Sequence, residues 1–224
     1  MRKLEADWLR SAIEQAGVAA ASPMLHLGSS TAEFREVRRP HIHNHLFAPL
    51  QRGGFEVVHA DLKSATGVDL VGDIFDPEFV ASLRTRGFRS VLLSNLLEHV
   101  SDPRTVARIC EEIVGKGGLI FVSGPFDYPF HADPIDTMFR PTPRELATIF
   151  TRSELIDSKI IPDGGPIGDI VAGGGRSVAM FPIKLVWRLF GFPFRPLVAR
   201  TEWSRLMWFG RSYSAFGASF KVVA

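Results

Sequence analysis

The chain has 224 residues, of which 46% are hydrophobic and 22% charged, which is the balance of a folded globular protein. Its formal net charge of +2 is too small to indicate a nucleic-acid-binding protein. The single cysteine, Cys110, excludes an internal disulfide framework and a cysteine-based zinc site, and it favours a reducing compartment such as the cytoplasm.

The first half of the chain alternates apolar runs with polar segments. Residues 3–17 have the spacing of an amphipathic helix, without the apolar core of a signal peptide. Residues 23–28 form a buried-strand pattern stopped by glycine, and 35–45 are polar and irregular. Residues 55–61 and 68–74 are further apolar runs, with Asp61 and Asp73 at or next to their ends. These patterns predict three strands with loops at their ends.

The second half continues the same rhythm. A strand is expected to begin at residue 89, and Asp102-Pro103 then has the pattern of a helix start, with an N-cap followed by proline. The helix should end at the Gly115–Gly118 turn. The remaining predicted elements are a strand at 119–126, a helix at 142–153, and strands at 153–163 and 217–224.

Strands separated by helices indicate an α/β fold with a mostly parallel sheet covered on both faces. In such sheets, ligands bind outside the carboxyl ends of the strands. Asp61 is placed there to accept hydrogen bonds from a ribose diol, and Asp73 to accept one from the exocyclic amine of adenine. Ile74 can pack against the purine face.

Five segments together resemble the class I S-adenosylmethionine-dependent methyltransferases, in the small-molecule branch with the "LEH" signature. In chain order they are PMLHLGSSTAE, FEVVHAD, VGDIFDP, LLSNLLEHVSDP and IVGKGGLIFVSGP. The resemblance covers about residues 23–150 and the closing strands. It implies a Rossmann-like seven-stranded sheet, S-adenosylmethionine as cofactor, and methyl transfer to a small-molecule or glycan acceptor, with oxygen as the expected acceptor atom.

The first motif is degenerate. The family pattern is acid-x-Gly-x-Gly-x-Gly, whereas this chain has His26-Leu27-Gly28-Ser29-Ser30-Thr31-Ala32, without the acid and two of the glycines. Serine is small enough to allow close approach of a ligand, and its hydroxyl can replace a contact. The cofactor-binding residues implied by the resemblance are Gly28, Ser29, Ser30, Asp61, Asp73, Ile74, Ser94 and Asn95. Of these, the Gly28 turn, Ser94 and Asn95 are expected at the amino acid end of the cofactor, which the family's acid usually helps to position.

The loop after the 119–126 strand should lie beside the transferring methyl group. His131 and Asp133 are candidate general bases for an acceptor hydroxyl or amine. His99, Asp136 and Arg140 are candidate substrate contacts, and the alternative is a structural loop with an Asp–Arg pair. HIHNH at 41–45 places alternate histidines together, but no nearby carboxylate or cysteine completes a zinc site, so no metal is predicted.

The C-terminal segment is both basic and aromatic. Residues 179–224 hold seven basic residues against Glu202 alone, and three of the four tryptophans. Two interpretations are open for 179–211: a lid or homodimer surface, or contact with a membrane surface or a lipid-linked substrate. The expected organisation is one domain over 1–224, with a helix at 1–20, a core at 23–163, an insertion or lid at 164–212 and a closing strand at 213–224.

The degenerate motif also supports a second hypothesis, a non-catalytic protein with the same fold that acts as a binding or assembly subunit. Retention of both Asp61 and Asp73 argues against it. A dinucleotide-dependent oxidoreductase is disfavoured, since Gly28–Glu33 does not supply the G-x-G-x-x-G turn.

Overall fold

The computed structural model describes residues 1–131, 135–165, 208 and 210–224. Its centre is a seven-stranded sheet with the strand order β3-β2-β1-β4-β5-β7-β6. The strands are β1 (Met24–Leu27), β2 (Val57–Asp61), β3 (Leu70–Val71), β4 (Ser90–Ser94), β5 (Leu119–Pro125), β6 (Ser153–Pro162) and β7 (Ser214–Val222).

The sheet is mixed, and the prediction of a mostly parallel sheet is corrected. β1 pairs in parallel with β2 and β4, as β2 does with β3 and β4 with β5. β7 instead lies antiparallel between β5 and β6, with Ile120 opposite Phe220 and Ile161 opposite Ala215. The prediction assumed that each strand joins the sheet after a helical crossover, which gives parallel neighbours. β7 instead pairs with β6, the strand that precedes it in the chain, and antiparallel neighbours need no crossover helix.

The predicted seven strands and the helices on both faces are confirmed. The helices are α1 (Lys3–Ala16), α2 (Val18–Ala21), α3 (Pro40–Ile42), α4 (Ala48–Arg52), α5 (Pro77–Arg84), α6 (Pro103–Val114) and α7 (Pro143–Ala147). At the start of α6, the Asp102 carboxylate accepts hydrogen bonds from the backbone N–H groups of Arg104 and Thr105, which have no partner within the helix. Gly115, at φ 64°, ends α6 as the glycine turn predicts.

The segment from Glu33 to Arg52 is helical, although its polar first part reads as irregular in the sequence. π-helical turns at Glu33–Arg38 and His43–Phe47 alternate with α3 and α4. The reason is an apolar stripe, Ile42, Leu46, Phe47 and Leu50, that packs against α1 in one buried cluster. Tertiary packing therefore outweighs the local polarity of the segment.

Two hydrophobic cores lie on opposite faces of the sheet. On β4, Val91 and Leu93 belong to the core beneath α5 and α6, whereas Leu92 belongs to the core beneath α1 and α4. This alternation is the period of two expected of a strand that is buried on both faces. The sheet is thus covered from both sides, and its strand ends are the open edge at which a ligand can bind.

Most of the predicted insertion at 164–212 lies outside the described residues, as does nearly all of the basic, aromatic segment at 179–211. Within the described ranges, no helix combines the length and apolar character needed to cross a bilayer.

Candidate functional site

A cavity of about 970 Å³ opens at the carboxyl ends of β1, β2, β4 and β5. Of the predicted cofactor-binding residues, the turn after β1 supplies Gly28, Ser29 and Ser30 to its lining, and the strand ends supply Asp61, Ser94 and Asn95. Asp73 and Ile74, which follow β3, also line it. The fold therefore brings together residues that lie up to 67 positions apart in the sequence, from Gly28 to Asn95.

The turn after β1 has the backbone conformation of a ligand-binding turn. Gly28 adopts φ +69°, and a Cβ atom there would lie 2.7 Å from Leu96 Cδ1, so a side chain at this position would be strained and would displace Leu96. Ser30 also adopts a positive φ, 53°, a conformation that costs a residue with a side chain about 1–2 kcal/mol. Surrounding contacts must hold Ser30 in this conformation.

Asp61 supplies one of those contacts. Its Oδ2 atom accepts a hydrogen bond of 2.7 Å from the Ser30 backbone N–H, and its Oδ1 atom accepts one of 3.0 Å from Lys63 N–H. Asp73 Oδ1 similarly accepts from Phe75 N–H at 2.9 Å. Because an ionised carboxylate has about four acceptor positions, both side chains keep the capacity to accept hydrogen bonds from a ligand.

Arg35 is a residue of this site that the sequence analysis missed. Its guanidinium donates to the carbonyl oxygens of Ser29 and Ser30, at 3.0 and 2.7 Å, and to that of Gly67, at 2.7 Å. The residue is 4% exposed. Arg35 therefore clamps the β1 turn against the segment before β3. Its polar sequence context carries no signal of this role.

His26, which stands at the position of the family acid, is buried against a second histidine. Its Nδ1 atom lies 3.0 Å from Nδ1 of His59, and its Nε2 atom lies 3.4 Å from Ser94 Oγ. Burial lowers the pKa of His26 well below its ordinary value, and burial together with Arg35 lowers the pKa of His59 to about 4. The pair is thus neutral at physiological pH.

Glu5, on α1, is a second residue that the sequence analysis missed. It lines the cavity, is 2% exposed, and its Oε1 atom accepts hydrogen bonds of 2.6 Å from both Asn95 Nδ2 and Ser123 Oγ. The sequence does contain a signal that Glu5 is buried, because its spacing places it in the same stripe of α1 as Leu9 and Ile13. A carboxylate on the apolar face of a helix needs buried polar partners.

His131 lies at another wall of the cavity, with Tyr128 and His99. The His131 ring meets those of Tyr128 and His99 edge-to-face, both with centroids 5.3 Å apart. Burial lowers the pKa of His131 below its ordinary value, although the adjacent Asp136 acts in the opposite direction. His131 is therefore a neutral imidazole facing the cavity.

Asp136 and Arg140 hold this loop in shape. The Asp136 side chain is fully buried, and its Oδ2 atom accepts from His131 N–H at 2.9 Å and from Arg140 Nη2 at 2.8 Å. Arg140 also lines a second cavity, of about 500 Å³. The expected Asp–Arg pair is present, and contact of these two residues with substrate stays a prediction. The other candidate base, Asp133, lies outside the described residues.

Glu98 lies beneath the His99 wall and is 1% exposed. Burial raises its pKa to about 7. Ligand atoms of Glu98, His99 and His131 lie within 4.8 Å of one another, compared with about 3.4 Å between ligands of a tetrahedral zinc ion. No metal is predicted here from the sequence. His99 and His131 line the cavity, and Glu98 lies buried behind them.

Two histidines of the HIHNH segment, His41 and His45, contact the N-terminal part of the chain. His41 Nε2 lies 3.1 Å from the carbonyl oxygen of Met1, and His45 Nδ1 lies 2.9 Å from Asp7 Oδ1. These contacts tie the Glu33–Arg52 segment to the N-terminal helix.

No family model and no curated protein matches the chain. Solved structures do match it. A Galdieria sulphuraria protein assigned as a sarcosine dimethylglycine methyltransferase is 12% identical, with 97% of this chain and 85% of that chain covered and a TM-score of 0.55. Coclaurine N-methyltransferase, bound to N-methylheliamine and S-adenosylhomocysteine, is 15% identical, with 97% and 70% covered and a TM-score of 0.57.

The [4+2]-cyclase SpnF is also 15% identical, with 97% of this chain and 81% of that chain covered and a TM-score of 0.50. The fold therefore occurs in proteins named for different reactions, as is common for widely used folds. Together with the strand order and the position of the cavity, these likenesses show that the chain has the class I methyltransferase fold.

Proposed function

We propose that the protein is an S-adenosylmethionine-dependent methyltransferase that methylates an oxygen atom of a small-molecule or glycan acceptor. The observation that carries the proposal is the grouping of the β1 turn, Asp61 and Asp73 around one cavity at the strand ends of this fold. A volume of about 970 Å³ is at the upper end of the range for small-molecule sites.

The residues present fit the cofactor. Asp61 would bind the ribose hydroxyls and Asp73 the adenine amine, since both carboxylates line the cavity with unused acceptor positions. Ile74 and Phe79 supply apolar lining for the purine. Gly28 leaves the backbone of the first turn open to close approach. The bound cofactor supplies a methyl group that its sulfonium makes electrophilic.

The protein's contribution is chiefly positioning, which can account for several kcal/mol of a barrier when the reactants are held in line. His131 would take the proton from the acceptor hydroxyl. Its depressed pKa keeps the imidazole neutral and able to accept a proton at physiological pH, and the buried Asp136 carboxylate, 3.3 Å from His131 Nδ1, would stabilise the resulting cation. A nearby base supports oxygen as the acceptor atom, because a hydroxyl must lose its proton during methylation, whereas a neutral amine can attack before it loses one.

Calorimetric titration with S-adenosylmethionine and S-adenosylhomocysteine tests the proposal. We expect both to bind below millimolar concentration, and Asp61→Asn to weaken both by roughly 10-fold or more through loss of a charge-assisted ribose contact. The exposed Asp157 is a matched control, and Asp157→Asn should leave both affinities unchanged. If neither compound binds wild-type protein at millimolar concentration, the methyltransferase proposal fails and the non-catalytic hypothesis is favoured.

A further inference from the structure

The buried carboxylate of Glu5 lines the cavity, although Glu5 lies on α1, which precedes the first strand in the sequence. Its Oε1 atom accepts from Asn95, which follows β4, and from Ser123 on β5. Its Oε2 atom accepts a hydrogen bond of 2.9 Å from the Arg2 backbone N–H. Three of about four acceptor positions are thereby used, which leaves capacity for one further donor.

His26 cannot replace the missing acid of the first motif. Both of its ring nitrogens have partners, at His59 and Ser94, and its depressed pKa makes it neutral. A neutral imidazole whose nitrogens are engaged offers neither a negative charge nor a free acceptor to an ammonium group. A carboxylate elsewhere in the cavity would supply both the charge and the acceptor for a ligand with an ammonium group.

We propose that Glu5 binds the α-ammonium group of the cofactor's amino acid end, in place of the acid that His26 replaces. The inference rests on the proposed function. Glu5 contacts Asn95, the residue predicted to face that end of the cofactor, and lines the same cavity as Gly28. An ammonium donor would complete the acceptor positions of a carboxylate that is otherwise only partly satisfied, and the ion pair would form in a buried setting.

The test compares two ligands that differ in the amino acid end. S-adenosylhomocysteine carries the ammonium group, whereas 5′-methylthioadenosine keeps adenine and ribose but lacks that end. Dissociation constants for both are measured with wild-type protein, Glu5→Gln and Asp61→Asn. Glu14→Gln is the matched control, because Glu14 lies on the same helix with its side chain 48% exposed.

We expect Glu5→Gln to raise the dissociation constant for S-adenosylhomocysteine by roughly 10- to 100-fold, the range of a lost charge-assisted hydrogen bond. Binding of 5′-methylthioadenosine should stay within about twofold, which also shows that the variant is folded. Asp61→Asn should weaken both ligands, and Glu14→Gln neither. Equal effects of Glu5→Gln on the two ligands, or no effect on either, would overturn the assignment of Glu5.

If wild-type protein binds neither compound, the proposed function itself fails and the inference fails with it. If Glu5→Gln does not fold, Glu5→Asp keeps the charge but withdraws it by one methylene group. It should then weaken S-adenosylhomocysteine selectively. Wild-type protein should also bind N-acetylated S-adenosylhomocysteine, whose ammonium is removed, more weakly than the parent compound, and equal affinity would contradict the proposal.

Discussion

Single residues in and beside the cavity hold conformations and charges that are unfavourable in isolation. Ser30 adopts a positive φ where the related family uses glycine, and it is held there by Asp61 and Arg35. Glu98 is buried with its Oε1 atom lacking a hydrogen-bond partner among the described residues. Such local costs are typical of functional sites and are offset by the surrounding structure.

Glu98 yields a pH prediction. Its pKa rises from 4.5 to about 7 on folding, so between these values the folded state binds more protons than the unfolded state. Its contribution to stability is therefore full below about pH 4.5 and is lost as pH rises through about 7. Glu98→Gln, which is neutral at every pH, should match wild type near pH 4.5 and exceed its free energy of unfolding by about 3 kcal/mol near pH 8.

Urea unfolding of both proteins at these two pH values measures the difference. The buried histidines also change stability with pH, in the opposite direction to Glu98. Their effect is the same in both proteins, so it cancels when the free energy of unfolding of wild type is subtracted from that of the variant. A gap of the same size at both pH values would mean that Glu98 does not titrate with a raised pKa.

At the scale of elements, the cavity depends on contacts between segments that are distant in sequence. Arg35, on the π-helical turn at Glu33–Arg38, joins the β1 turn to Gly67 before β3. α1 carries Glu5 to the ends of β4 and β5. The segment Glu33–Arg52 packs on α1 in turn. The walls of the site are therefore coupled through helices that lie outside the sheet.

Arg35→Lys tests this coupling. Lysine keeps the charge, but its ammonium cannot span the three carbonyl oxygens that the planar guanidinium reaches. We expect the free energy of unfolding to fall by about 2 kcal/mol, since hydrogen bonds to a charged group are lost in a buried setting. Binding of S-adenosylhomocysteine should weaken as the β1 turn loosens.

Arg38→Lys is the matched control on the same helical turn, because its side chain is 67% exposed and pairs with Glu33 on the surface. It should change stability by less than about 0.5 kcal/mol. Denaturant unfolding and calorimetry measure the two properties. Equal effects of the two substitutions would show that Arg35 is not a clamp.

At the scale of the whole molecule, one sheet supports two cores. Leu9 on α1 and Leu83 on α5 are both fully buried, and they belong to different clusters on opposite faces. β4 contributes residues to both clusters. Loss of packing on one face therefore disturbs a strand whose other side belongs to the second core. The described sheet and its two helical layers should therefore unfold cooperatively.

Leu9→Ala and Leu83→Ala should each lower the free energy of unfolding by about 2–5 kcal/mol, the usual cost of a cavity in a core. The double variant should show the sum of the two effects within about 0.5 kcal/mol, because the sites share no contact cluster. Unfolding followed by both fluorescence and circular dichroism should give one coincident transition. Separate transitions for the two faces would contradict a single cooperative unit.

The sequence by itself determined the strand and helix rhythm, the turn at Gly28 and the acids that end two apolar runs, because these depend on local periodicity and on turn chemistry. These local patterns were sufficient to predict the seven strands, and the family resemblance added the eight cofactor-site residues, all of which line the cavity. The tertiary structure decided the antiparallel course of β7, the helical state of the polar segment after β1, and the arrival of Glu5 and Arg35 in the site. These depend on contacts between segments far apart in the chain, and a local pattern, such as the place of Glu5 in the apolar stripe of α1, does not show which segments meet. The first motif illustrates both kinds of information. The sequence shows that His26 stands where the family has an acid, whereas only the packing of α1 brings Glu5 into the same cavity.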